Sequence, residues 1–270
     1  MKTRAITGFF FIIVMLASVL LGHWVFGGFF LVLSLLCLNE FYSLIKQTGT
    51  SPNLTTGIFA GVVIYTVFAL YTSDTYNLLY QKLIFLIVIA IVAVFAQELF
   101  KKTPAPFTNL AYTFLGLILT IVPFTFFHAL AYIQLGFNFH FPLAFLLMLW
   151  SNDTGAYLTG MAIGKHKLFE RHSPKKTREG FIGGVAIAAG VGLIISHYFL
   201  ELEWSQWMIM GVLIGTVGTM GDLVESMFKR SINVKDSGGI LPGHGGLLDR
   251  FDGLFLAAPV VYSYLYLISK

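Results

Sequence analysis

Apolar stretches of about 20 residues, the length of a membrane-spanning helix, recur along the whole chain. They run roughly over 5–22, 25–45, 54–72, 78–99, 108–135, 141–163, 180–199, 206–228 and 251–269. Short polar segments separate them, such as Thr48-Gly49-Thr50-Ser51-Pro52-Asn53 and Lys101-Lys102-Thr103-Pro104-Ala105-Pro106, where proline and glycine stop helices. The pattern predicts about nine transmembrane helices, the fifth long enough to be tilted or broken. The first span is expected to be retained rather than cleaved: no small-x-small site follows its apolar core, and Gly22-His23-Trp24 leads straight into the next apolar run.

Composition strengthens that picture. Hydrophobic residues make up 57% of the chain and charged ones 11%, whereas soluble domains carry about a quarter charged residues. The expected fold class is therefore an all-α polytopic membrane protein. The single cysteine, Cys37, lies in an apolar run, which excludes disulfides, cysteine-based zinc sites and redox pairs; it reads as a small buried hydrophobe.

Charge orients the expected bundle. With Lys2 and Arg4 placed inside, alternation through nine spans puts every one of the 17 Lys and Arg residues except Lys82 and Lys270 on one side. The positive-inside rule makes that side, with the amino terminus, cytoplasmic. Asp74, Glu201 and Glu203 fall opposite. The net charge of +4 is thus a basic inner face suited to anionic headgroups and phosphates. No soluble basic domain exists to carry nucleic acid, so none is expected as a partner. We divide the chain into a scaffold, 1–140, with a possible oligomer contact, and a catalytic part, 141–270, with cytoplasmic loops at 164–180 and 229–250.

Both loops are richer than topology requires. The first carries Lys165, Lys167, Arg171, Lys175, Lys176 and Arg178; spans seven and eight form a helical hairpin that can bring it beside the second. From Ser226 to Asp252 the second region holds Lys229, Arg230, Lys235 and Arg250, three aspartates, His244 and five glycines. So many ionisable groups on a hydrophobic scaffold mark a functional site, because desolvating a charge is costly. Asp222, Glu225, Ser226 and Lys229 stand at i, i+3, i+4 and i+7, one helix face that should line the bundle interior or a water-filled cavity. The alternative is an internal salt bridge of Asp222 or Glu225 with Lys229 or Arg230. Asp249 and Asp252, at i and i+3, converge two carboxylates at the start of the last span, or simply cap it.

Oxygen ligands without cysteine suit a hard cation such as Mg²⁺, held through one or two carboxylates plus substrate phosphates and waters; zinc suits them less well. Around His244, the glycines Gly245 and Gly246 let backbone N–H groups approach an anion, or else serve a plain tight turn. With Lys229, Arg230, Lys235 and Arg250 as cationic donors, the set is the one phosphoryl transfer needs.

Together these residues resemble a known signature. Ser226-x-x-Lys229-Arg230, Lys235-Asp236, Leu241-Pro242-Gly243-His244-Gly245-Gly246 and Asp249-Arg250-x-Asp252 match the phosphatidate cytidylyltransferase (CDP-diacylglycerol synthase) family, and no position departs from the pattern. A second stretch is similar to the family too: Ser151-Asn152-Asp153-Thr154-Gly155-Ala156-Tyr157, Gly160, Gly164-Lys165 and Ser173-Pro174-Lys175-Lys176-Thr177-x-Glu179-Gly180. The first five spans match only in hydrophobic character.

The resemblance implies a reaction in which phosphatidic acid and CTP give CDP-diacylglycerol and pyrophosphate with a divalent cation, at the cytoplasmic face of a bacterial-type cell membrane; a homodimer is implied as plausible. We assign Asp222, Asp249 and Asp252 as Mg²⁺ ligands at the inner ends of neighbouring spans, with Asp236 a second-line ligand and a second cation left open. Ser226, Lys229 and Arg230 are expected to hold phosphate, with Lys235 and Arg250 as further donors. Lys175, Lys176 and Thr177 read as triphosphate or cytosine-side contacts, or as topology signals alone. Asp153 and Tyr157, at i and i+4, serve substrate contact or polar packing. His244 either contacts pyrophosphate or protonates the leaving group, or only partners the backbone. His23, His128, His140, His166, His172 and His197 show no metal-ligand spacing and read as packed or interfacial residues.

Two rivals stand beside this reading. A transporter of an anionic solute would place its site near the bilayer midplane and often shows an internal repeat. A CTP-dependent lipid kinase would transfer the γ-phosphoryl and leave CDP.

Overall fold

The computed structural model describes residues 2–239 and 245–269, with backbone alone for 2–6. His244, with Leu241, Pro242 and Gly243, lies outside the described residues. Among them the chain is almost wholly helical: α1 (Lys2–Leu20), α2 (His23–Lys46), α3 (Leu54–Ser73), α4 (Leu78–Leu83), α5 (Phe85–Phe100), α6 (Pro106–Gly116), a π-helical turn (Leu117–Ile121), α7 (Val122–Leu130), α8 (His140–Ile163), α9 (Arg178–Ile195), α10 (Trp204–Ser231) and α11 (Leu248–Ile268). Among the described residues, seven helical stretches are long and apolar enough to cross a membrane, counting α4 with α5 and α6 with α7. Among the described side chains of α1, Thr7–Leu20 forms a shorter apolar stretch. The 24-residue α8 falls outside the seven because its second half carries the polar run that begins at Ser151.

The broken fifth span has a physical cause. Pro123 in the first turn of α7 has no N–H to continue the ladder, and the π-helical turn takes up the misfit just before it.

By internal contacts the chain forms two compact units. The first comprises 1–137 with 236–248. Its core is aromatic, with Phe26, Phe30, Phe41, Tyr42, Phe124 and Phe127 buried; the Phe30 and Phe127 ring centroids are 4.8 Å apart. Tyr42 donates to the Thr113 carbonyl at 2.8 Å. Buried Glu98 accepts from Thr103 Oγ1 and Asn109 Nδ2, each at 2.8 Å, and so ties α5 to α6. In the same unit Glu40 of α2 accepts from Ser237 and from the backbone of Leu248.

The second unit comprises 138–235 with 249–270. Trp207, Met210 and Ile214 of α10 are buried, as are Phe141, Phe145 and Met148 of α8 and Leu254 and Ala257 of α11. At one end of this unit, Asn138 and His140 both bond Glu201, and Phe199 stacks on the His140 ring at 3.9 Å. The helices α9 and α10 approach backbone to backbone: a Cβ on Gly211 would stand 2.5 Å from the Ala188 carbonyl oxygen, and one on Gly192 2.5 Å from that of Trp207. Small residues permit such close helix packing in membranes. Gly211→Ala is therefore expected to destabilise the protein by about 1–3 kcal/mol, although alanine favours an isolated helix over glycine by ~1 kcal/mol. Thermal unfolding in detergent checks this, and an unchanged or raised midpoint contradicts the packing.

The one β element among the described residues is an antiparallel hairpin, β1 (Lys167–Phe169) and β2 (Ser173–Thr177), in which Lys167 pairs with Thr177 and Phe169 with Ser173. It occupies the first basic loop.

Candidate active site

The hairpin delivers its strand directly into a helix. Thr177 is extended at φ −119° and ψ 155°, and its Oγ1 accepts from the Gly180 N–H at 3.1 Å, an N-cap that starts α9. One residue into that turn, Glu179 accepts from the backbone N–H of Lys165 at 3.1 Å and of His166 at 3.2 Å, and contacts the His166 ring at 2.6 Å. This closes the base of the hairpin and fixes where β2 runs. Glycines let it seat against α8: a Cβ on Gly164 would meet Thr177 Oγ1 at 2.8 Å, and one on Gly180 the Ala156 carbonyl oxygen at 2.7 Å.

The result is a cavity of about 440 Å³ lined by Asp153 and Tyr157 of α8, Lys175, Lys176 and Thr177 of β2, and Asp222 of α10. Met161, Leu168 and Phe181 form an apolar wall. Helix N-termini carry unsatisfied N–H groups and partial positive charge, so the start of α9 beside Lys175 and Lys176 suits a phosphate. Asp153 and Tyr157 are both exposed, and both face this cavity. Asp153 Oδ1 also accepts from Asn152 Nδ2 at 3.4 Å, so the pair opens on the cavity and Asp153 has a polar neighbour at once.

The charges fall into two groups. Lys176 Nζ contacts Asp222 Oδ2 at 2.5 Å, while Ser226 Oγ lies 3.4 Å from Asp222 Oδ1. Deeper, Lys229 sits between two carboxylates, 2.6 Å from Glu225 Oε2 and 2.6 Å from Asp249 Oδ1, with its side chain 11% exposed. The Asp249 contact is a hydrogen bond. The Glu225 contact is an ion pair within one helix, at i and i+4. The salt-bridge alternative for the polar stripe is thus the one that Lys229 adopts.

Asp252 interacts electrostatically with Asp222, Glu225 and Asp153, and its Oδ1 accepts from the Gly253 N–H at 2.7 Å. The cations that act on Asp153 are Lys176 and Arg250. Five carboxylates (Asp153, Asp222, Glu225, Asp249 and Asp252) therefore meet three cations (Lys176, Lys229 and Arg250). Such an excess of negative charge in one place favours a bound cation.

Among the described residues, no three His, Cys, Asp or Glu side chains are grouped closely enough to hold a metal by themselves. An all-oxygen set with one or two carboxylates and room for phosphate oxygens nevertheless fits Mg²⁺, which rarely occupies an all-protein cage. The i, i+3 spacing suggested that Asp249 and Asp252 converge. In the structure their partners differ: Asp249 is engaged by Lys229, while Asp252 joins Asp222 and Asp153.

The other sequence-predicted residues are placed as follows. Arg230 is exposed and donates to the Val234 carbonyl at 3.0 Å, closing the end of α10. Lys235 is exposed in the second unit and Asp236 exposed in the first. Gly245, at φ 83°, and the buried Gly246 belong to the first unit. Glu225 is the Lys229 partner that the salt-bridge alternative offered, while two residues without an assigned role in the sequence reading stand at this site: Glu179, the clamp of the hairpin, and Asn152, buried on the cavity wall with its Oδ1 lacking a hydrogen bond. Glu225 was visible on the polar stripe. Nothing in the spacing marked the other two.

Comparison with known proteins bears on this geometry. The chain matches the model described as the cytidylyltransferase family over residues 2–268. A protein named phosphatidate cytidylyltransferase from Staphylococcus haemolyticus (strain JCSC1435) is 32% identical over 265 residues, 97% of each chain. Proteins of the same name from Staphylococcus aureus (strain COL) and Staphylococcus saprophyticus are 46% and 42% identical over 144 residues, a stretch covering 49% of this chain. Along that stretch the chain spans 55% of each of those two relatives. With the match running nearly from end to end, the chain belongs to the cytidylyltransferase family.

Proposed function

We propose that the chain is a phosphatidate cytidylyltransferase, an integral membrane enzyme that joins CTP and phosphatidic acid into CDP-diacylglycerol and releases pyrophosphate. The observation that carries this is the cavity, where the capped N-terminus of α9 and two lysines of β2 face Asp153 and Asp222, carried within α8 and α10. Its apolar wall suits a lipid glycerol backbone, and its basic side suits a triphosphate. The names of the relatives supply the substrate pair.

In this reading a phosphate oxygen of the lipid attacks the α-phosphorus of CTP in line, and pyrophosphate departs with the electrons of the bond that breaks. The lipid phosphate is largely ionised near pH 7, so positioning and charge compensation do most of the work. Lys175, Lys176 and the α9 N–H groups hold the triphosphate. Asp222 and Asp252, with Asp153 beside them, are the residues that would hold Mg²⁺. When bound, that ion would neutralise charge on the phosphates and withdraw electrons from phosphorus. Lys229 orients Asp249, while Arg250 offsets the carboxylate charge near Asp153. The finer topology belongs to the same proposal: nine crossings, with the amino terminus and the cavity on the cytoplasmic side of the cell membrane.

The names of the relatives favour nucleotidyl transfer over transport of an anionic solute. Lys176→Met is expected to raise the KM for CTP by about 10- to 100-fold, the scale of one charge-assisted hydrogen bond, and to leave the KM for phosphatidic acid within a few-fold. Steady-state kinetics in detergent micelles checks this; an unchanged KM for CTP removes Lys176 from the nucleotide site.

A further inference from the structure

We infer that Glu40, far from the signature in sequence, is the positioning residue that sets where the glycine-rich segment enters the acidic start of α11. The inference rests on the reading that this signature carries out cytidylyl transfer.

Glu40 sits on α2 with 5% exposure, among the buried apolar side chains of Leu38, Phe41 and Tyr42. A carboxylate in such surroundings is costly unless hydrogen bonds compensate it, and an apolar residue would serve helix packing better. Its Oε2 accepts from Ser237 Oγ at 3.3 Å and from the Leu248 N–H at 2.8 Å, across 197 and 208 residues of sequence. Those two residues flank the glycine-rich segment on either side. One carboxylate therefore ties both ends of it to the same point of α2.

The glycines fit this role sterically. A Cβ on Gly238 would stand 2.0 Å from Glu40 Oε1; one on Gly246 would stand 2.2 Å from the same oxygen and 2.0 Å from Ser237 Oγ. These two positions accept no side chain while the carboxylate is in place. Leu248 is followed directly by Asp249, Arg250 and Asp252. Fixing the Leu248 amide thus fixes the point from which the acid pair starts, without Glu40 touching the reacting atoms.

Two readouts test the tether: steady-state kinetics, and amide hydrogen exchange of detergent-purified, full-length protein. Glu40→Leu is expected to lower kcat at least tenfold with the KM for CTP within about threefold. Exchange should rise at least tenfold at Leu248 but not along 153–160 or 219–225. Glu40→Gln, which keeps an acceptor oxygen, should fall between Glu40→Leu and wild type. Gly238→Ala, which displaces the carboxylate without removing it, should reproduce the Glu40→Leu pattern. Ser237→Ala probes the tether by a milder route should Glu40→Leu fail to fold; it should accelerate Leu248 exchange and lower kcat to a smaller extent. Wild-type kcat in folded Glu40→Leu, or unchanged Leu248 exchange in Glu40→Gln, Gly238→Ala and Ser237→Ala, overturns the inference. So does a loss of activity that only follows the loss of folded protein with exchange raised uniformly. If wild-type protein makes no CDP-lipid, the functional reading fails, and Leu248 exchange still reports whether the tether exists.

Discussion

Asp252→Asn is expected to lower kcat by about 100- to 1000-fold, the usual cost of deleting one preorganised electrostatic contact at a reacting phosphate, while leaving the folded protein intact or slightly more stable. The opposite signs follow from the surroundings of the residue. Asp252 carries the same charge as its neighbours Asp222, Glu225 and Asp153, and like charges in one neighbourhood repel. An isosteric amide removes that repulsion, so the fold loses nothing. What disappears is negative charge that would hold a cation against two polyanionic substrates. Measuring kcat together with the thermal midpoint separates the two effects. A near-normal rate removes the carboxylate cluster from the mechanism, and a collapse of the midpoint makes Asp252 a structural residue.

Lys229→Met is expected to act first on stability, costing about 3–5 kcal/mol, because it strips the shared cation from two enclosed carboxylates. Glu225 and Asp249 are 6% and 11% exposed at their side chains and both contact Lys229 at 2.6 Å. Adding Glu225→Gln should recover a substantial part of the loss, since one of the two stranded charges is then gone. Chemical or thermal unfolding of the single and double variants checks this coupling. Had Lys229 been a phosphate clamp alone, the single variant would keep its stability and lose only substrate affinity; that outcome contradicts the ion-pair arrangement described here.

The helical scaffold was legible because membrane-length helices announce themselves by unbroken apolar runs, and each of the nine expected runs carries helix. Less was legible where polar chain folds back on itself. The β1–β2 hairpin is short, lysine-rich and contains Pro174, so it has neither the alternation nor the composition of a strand pair. The spacing of Asp249 and Asp252 correctly put both at the start of one helix, but spacing specifies a helix face and not the partner across it, which is Lys229 for one and other carboxylates for the other. Lys175, Lys176 and Thr177 were read as a group and line one cavity with Asp153, Tyr157 and Asp222. Glu40 was passed over although it carried a signal, an ionisable side chain inside an apolar span, which marks function in a membrane protein. Its partners lie some two hundred residues away, and no local pattern points to them.

Cytidylyl transfer is tested most directly by the fate of the phosphorus atoms of CTP. Purified protein in detergent with phosphatidic acid and Mg²⁺ is given CTP labelled at the α-phosphorus in one reaction and at the γ-phosphorus in another, and lipid and aqueous products are separated. We expect the α-label to enter the lipid fraction as CDP-diacylglycerol and the γ-label to leave as pyrophosphate. Label from the γ-phosphorus in the lipid fraction with CDP in solution would make the protein a lipid kinase, and no transfer of either label to lipid would contradict the account altogether.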